Sequence, residues 1–272
     1  MGKLLKNFKP HVDFRGLSTF ASKDVLFNWA PIEIPKGGAV ELKSISHMIR
    51  GTDTGVGNGG LDFRLLFAKP INAAAPPSLS VSNLTITAIE AATIRPYLIG
   101  TAFMNGAEME DSNDTFVNYN FGSTAGYSTL STTDVNHHLR NFSPIMLEGE
   151  HYAGSTIEGN TYAATTSGNQ TIFVAGIALG AFNFGTGVLL NQGGDQATST
   201  TAVGLVTDGT DADDIFAIGD EVVFGGNANT DIGTVTAVTA NTLTVDTVDN
   251  AMTDDDEIFF KHPIQFNFGF EY

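Results

Sequence analysis

The sequence predicts an all-β protein: a jelly-roll-like β-sandwich with a small, strongly curved β-module inserted near the C-terminus. Three observations carry this. Short apolar runs recur along the chain and are bounded by Gly, Pro, Asn and Asp clusters. No long stretch places apolar residues at helical spacing. Thirty Gly, with abundant Thr, Ser and Asn, supply tight turns between short strands.

In chain order, residues 1–24 read as an N-terminal arm or edge segment. The main sandwich is expected over residues 25–202 plus 263–272, and the inserted module over 203–262. Val25 to Trp29 opens the run of strands. Ile32 and Ile34, then Val40 and Leu42, alternate with other residues on either side of a Pro35–Gly38 turn, as in a sheet with one wet face. Leu61 to Phe67 is a strand with Asp62 and Arg64 outward. Ala73 to Ser78 is a Pro-containing connector, and Leu84–Ile89, Arg95–Ile99 and Phe116–Phe121 read as strands or fragments. Asn105–Ser112 is polar and acidic, residues 122–136 read as a loop, and Ile145–Leu147 is short and ambiguous. Thr171 to Leu179 is the most apolar segment and reads as a fully buried strand. Phe182–Phe184 and Val188–Leu190 have strand character.

In the module, Gly233 to Val238 turns through Asn241 into Thr242 to Val245, a hairpin. The three-residue step from Val235 to Val238 breaks strict alternation, so a β-bulge is expected between them. Ile264 to Tyr272 alternates to its last residue and returns the chain to the main core, with Phe266, Phe268 and Phe270 as core side chains.

Composition bounds the function. The chain has no cysteine, which removes disulfides, cysteine nucleophiles and thiolate metal sites. It contains no apolar run of 18 residues, and residues 1–14 lack the apolar core of a secretory signal. The net charge of −17 is unevenly placed: 11 of 13 Lys and Arg lie at or before Arg95, and 13 acids with no base fall between Asp208 and Glu257. An acidic surface of this kind repels nucleic acid and anionic membrane, so neither is expected as a partner. The module is then an outward-facing acidic knob. Lys3, Lys6, Lys9 and Arg15 make the opposite end basic, either as a solvated terminus or as a partner-docking arm for an acidic surface.

Candidate chemistry is thin. Asp208, Asp211, Asp213 and Asp214 could gather oxygens around calcium, but they lack the alternation, central Gly and distant Glu of a calcium loop. Gly57 to Asp62 echoes a single turn of a calcium-binding β-helix without an array. Asp254–Glu257 reads as a solvated gatekeeper before Ile258–Phe260. His137, His138 and His151 are the one His grouping, and adjacent His on a strand face opposite ways. Glu108 with Glu110 and Glu148 with Glu150 are pairs a glycosidase could use. There is no Gly-x-Ser-x-Gly elbow, phosphate loop or dinucleotide fingerprint. The reading is therefore a non-enzyme without metal or other cofactor. Tyr119, Tyr127, Tyr152 and Tyr162 are the aromatics a glycan- or receptor-binding module would use.

Six segments carry a resemblance: LFNWAPIEIPKGGAVELKSI (26–45), LDFRLLFAKPIN (61–72), IMLEGE (145–150), VAGIALGAFNFGTGVLL (174–190), IFAIGDEVVF (215–224) and HPIQFNFGFEY (262–272). Together they resemble virion structural proteins of marine tailed bacteriophages. Separately, GDEVVF and GTVTAVTANTLTV resemble small SH3-like barrels, a pattern that does not fix function. The first resemblance implies a component of the virion, a capsid decoration or cement protein, with other virion proteins (the major capsid protein first) as partners and a homo-oligomer, a trimer, as the assembly. A tail or baseplate component is the alternative.

Overall fold

The computed structural model describes residues 2–12, 19–50, 62–79, 91–104, 110–113, 116–121, 145–184, 187–208, 212–225 and 231–272. The protein is all-β and sandwich-like, and its strand pairings are antiparallel. The two helices among the described residues, α1 (Ala91–Ile94) and α2 (Ala212–Ile215), are single turns. No helix among the described residues is long and apolar enough to cross a membrane.

The first sandwich sheet runs in the order β1 (Lys3–Phe8), β20 (Ile264–Glu271), β4 (Val40–Arg50), β8 (Phe116–Phe121), β7 (Glu110–Asn113). β9 (Ile145–Leu147) also pairs with β4, at Val40–Leu42. The second runs β3 (Val25–Pro35), β12 (Asn169–Ala178), β5 (Phe63–Ala68), β6 (Leu98–Met104). Between them lies one apolar cluster. Phe266, Phe268 and Phe270 enter it from β20, Ile45 and Ile49 from β4, and Ile32, Phe63, Leu65 and Val174 from the second sheet. Strict alternation in IQFNFGFE gives β20 one buried and one wetter face, as period two demands.

β12 does not alternate, because this central strand of the second sheet is covered on both faces. Ile172 and Val174 point into the sandwich core, whereas Phe173 and Ala175 join an outer cluster with Trp29, Leu79, Ile94 and Tyr152. A strand buried on both sides reads as a continuous apolar run. The Trp29 indole N–H donates to the Pro77 carbonyl at 2.9 Å, fixing the 73–79 connector over this face. Gly176 is required here: a side chain would strike the Phe27 ring, opposite it in β3, where the β3–β12 register shifts. The outer cover also includes the hairpin of β10 (Ser155–Ile157) and β11 (Asn160–Tyr162), turned by Glu158 and Gly159, both at positive φ.

β2 (Thr19–Phe20) pairs with β13 (Phe182–Asn183), and the chain then enters a second six-stranded sheet. Its order is β14 (Val188–Leu189), β19 (Glu257–Phe260), β16 (Glu221–Phe224), β17 (Asp231–Thr239), β18 (Thr242–Val245), β15 (Val203–Val206). The end strands meet: Leu190 bridges to Thr207, just past β14 and β15. The sheet encloses its own cluster, which includes Leu205, Ile215, Val222, Ile232, Val235, Leu243 and Ile258. It draws in Val188 and Leu189, upstream of residue 203, where the sequence reading begins the module. The β17–β18 register shifts between Val235 and Ala237, the bulge expected from the Val235-to-Val238 step; Val235 is buried and Val238 packs against the cluster.

Candidate functional site

The N-terminal segment is anchored into the sheet. Gly2 and Tyr272 exchange both backbone hydrogen bonds, at 2.7 and 3.0 Å, and β1 then pairs with β20 from Lys3↔Glu271 to Phe8↔Phe266. Leu4 and Phe8 turn toward the sandwich core, and the Phe8 ring meets Phe27 and Phe268 at 5.9 Å. A frayed terminus therefore does not describe residues 3–8. The alternation Leu4, Lys6, Phe8 against Leu5, Asn7 was the signal for a strand, and its complement is the run at 264–271.

This pairing places the predicted docking residues. Lys3 is exposed opposite Glu271 at the sheet edge. Lys6 is half-buried, and its charge helps hold the Glu33 carboxyl below its usual range, after the larger effect of the Thr166 backbone N–H that donates to Glu33. Lys9 lies past the strand end, beside a small cavity of about 130 Å³ shared with Arg50, Asp220, Glu221 and His262. Arg15 lies outside the described residues. Leu5, on the outer face of β1, is 71% exposed. It borders a shallow depression of about 530 Å³ whose floor is Gly269, flanked by Lys43, Ser44 and Glu271.

The small cavity lies at the junction of sandwich and module, and its charges hold one another. Arg50, on β4, donates through Nη1 to both carboxylate oxygens of Asp220 at 2.9 Å and through Nη2 to the Ile215 carbonyl. Its guanidinium also lies 4.2 Å from the centre of the Phe260 ring. His262 sits 3.0 Å from Glu221, and its Nδ1 is 2.8 Å from the Pro10 carbonyl. Burial is the largest influence on His262 and on neighbouring His11, and it pulls both imidazoles below their ordinary value. Val12 N–H donates to the Lys261 carbonyl at 3.2 Å, and Lys261 pairs with Asp231 at 2.9 Å. Residues 10–12 thus run from β1 onto the module's rim.

The remaining candidates do not converge. Among the described residues no three His, Asp or Glu are placed to hold a metal. Asp213 and Asp214 sit in α2, while Asp211, residues 51–61, Glu108, Tyr127, His137 and His138 lie outside the described residues, as do the side chains of Glu110 and Tyr119. Asp254 and Asp256 accept backbone N–H bonds from Gln192 and Thr253, so they shape the turn before β19 as well as meeting solvent. Glu150 pairs with Lys69 at 2.7 Å and bridges to Thr171, while Glu148 is exposed. Tyr152 is buried against Phe173 with its hydroxyl on Ser155, and Tyr162 is half-buried with burial pushing its phenol up to about 12. Neither offers an open stacking face.

The arrangement sets a basic strand at a sheet edge, its end reaching the rim of the acidic module. Comparison with protein-family models, curated proteins and solved structures returned no match.

Proposed function

We propose that the chain is a structural protein of a bacteriophage particle, a capsid decoration or cement protein that binds neighbouring shell subunits, the major capsid protein first among them. The observation that carries the reading is the basic edge strand: Lys3 and Lys6 are held by a full ladder to β20, and Lys9 just beyond it, in a chain of net charge −17. A docking element set on a rigid sheet loses little conformational freedom on binding. The resemblance of six segments to marine phage virion proteins supplies the class of partner. In this reading the sandwich is jelly-roll-like, the six-stranded module is an SH3-like barrel closed at Leu190 and Thr207, and the subunits form a trimer. The protein acts by adhesion, with no catalytic step, and its location is the virion.

The test is co-purification with assembled particles and a copy number from quantitative mass spectrometry. Hundreds of copies support the shell, and about a dozen shift the reading to tail or baseplate. Reversing Lys3, Lys6 and Lys9 together to Glu is expected to abolish particle association while the fold persists. Unchanged association of that variant refutes the docking role of the strand.

A further inference from the structure

We propose that the outer edge of β1 pairs antiparallel with the same edge of a second copy of this chain, about a two-fold axis at Leu5, joining two sandwich sheets into one. The backbone directions support this. Exchanged hydrogen-bond pairs alternate along an antiparallel ladder. Because Gly2 and Tyr272 form such a pair, Leu4, Lys6 and Phe8 also turn their N–H and C=O groups toward β20. Lys3, Leu5 and Asn7 therefore direct theirs away from it, where β1 ends the sheet order among the described residues, and all three residues are exposed.

These outward groups are self-complementary. With the axis at Leu5, Leu5 exchanges two bonds with Leu5 of the second copy, and Lys3 does so with Asn7 at each end. Lys6 falls opposite Leu4. No Lys directly faces another, so the lysines that ordinarily guard an exposed edge do not block this register. The two Lys6 side chains meet only on the diagonal, about 7–8 Å apart, and each copy has Glu33 acting on its Lys6.

Leu5 supplies the apolar contact. Its cross-strand neighbour on β20 is Gly269, which has no side chain to cover it, and at 71% exposure it is among the most exposed large apolar residues described. A second Leu5 across the axis covers this surface, which an unrelated acidic strand would leave open. The pairing stands independently of the particle reading. Where that reading holds, the two-fold contact joins two β1 strands in one sheet, with Lys3 on its outer face and Lys6 on its core side, and it ties neighbouring trimers whose three-fold contact uses another surface.

Leu5→Cys tests the register in a chain that has no cysteine of its own. Exchanged pairs hold their Cα atoms about 5.5 Å apart, with Cβ atoms wider than a relaxed disulfide spans, so a short bis-maleimide is the linker that fits. Treatment of Leu5→Cys with it is expected to give a covalent dimer on a denaturing gel. Met146→Cys, at a site 53% exposed on the same sheet, serves as the control. No excess of dimer over that control overturns the proposal, as does cross-linking to a different protein within particles in place of self-linkage. Light scattering on the wild-type chain is expected to show self-association that Leu5→Pro weakens at least ~10-fold. Proline there removes an N–H that the β20 ladder does not use. Should Leu5→Pro fail to fold, Leu5→Lys serves instead. Added salt is expected to strengthen the association by screening the Lys6 pair. Wild-type protein that scatters as a monomer at hundreds of micromolar refutes the pairing.

Discussion

The sandwich core is rich in phenylalanine, whereas the module core is mostly aliphatic and its turns are pinned by aspartate. Phe8, Phe27, Phe63, Phe67, Phe266 and Phe268 pack between the two sandwich sheets. In the module, Val, Ile and Leu dominate the cluster, with Phe216 and Phe260 beside Arg50 at the junction. Asp220 accepts the Ala217 N–H, Asp246 accepts the Thr234 and Thr247 N–H groups, and Asp256 accepts the Thr253 N–H. Large rings fill the wide gap between two facing sheets. A small curved sheet has little room for rings and relies more on side-chain acceptors to fix its turns. The acidity of the module is thus partly structural, which a net charge cannot reveal.

The largest expected break in this contrast is Phe266→Ala. The ring lies within 6.1 Å of the rings of Phe8, Phe27, His47, Phe63 and Phe268. Its loss is expected to cost roughly 3–5 kcal/mol, read as a drop in the denaturant midpoint of the sandwich. Comparable in size is the acid sensitivity conferred by His47. Burial beside Phe63 and Phe266 holds this imidazole down to about 3, against 6.5 when unfolded. Between those values the unfolded state binds the extra proton, so stability is lost as pH falls from 6.5 toward 3. At 1.36 kcal/mol per unit the loss reaches roughly 4–5 kcal/mol. His47→Leu is expected to flatten that part of the stability–pH curve, and an unchanged slope rejects the assignment.

Arg50→Ala separates the two regions. The pair with Asp220 is partly exposed, so its loss is expected to cost only about 1–2 kcal/mol. The informative readout is the shape of the thermal transition, expected to split with the module melting first. A single unshifted transition would show that the junction contributes nothing. The smallest effect is expected from Asp246→Ala, about 1 kcal/mol, confined to amide exchange in β17 and β18. Protection lost in the sandwich as well would contradict the division drawn between the two regions.

The strands whose period is set by one wet face were legible in the sequence: Ile32 and Ile34, Val40 and Leu42, and Phe266 to Phe270. The buried run at 171–179 was legible as a fully buried strand, although what covers its outer face was not, because that cover comes from segments distant in sequence such as Leu79, Ile94 and Tyr152. The β10–β11 hairpin went unread. Its strands are only three residues each, and its turn is carried by Glu158 and Gly159 alone. β4 continues to Arg50, past the apolar pattern that ends at Ile45, because His47 takes an inward position between Ile45 and Ile49. Of the basic cluster, the sequence disclosed the charges. The ladder to β20 shows which strand Lys3 and Lys6 stand against, and that Lys9 lies at the junction with the module.

The sequence by itself determined the all-β class, the hairpin with its bulge in the module, the apolar face of the last strand and the asymmetry of charge. Each of these is written in local period and composition. The tertiary structure decided which strand lies beside which: that β1 closes onto β20, that Val188 and Leu189 join the module sheet, and that Arg50 clasps Asp220 across 170 positions of sequence. Strand order is set by which faces can be buried together, and a pattern of period two is the same whichever neighbour it finds.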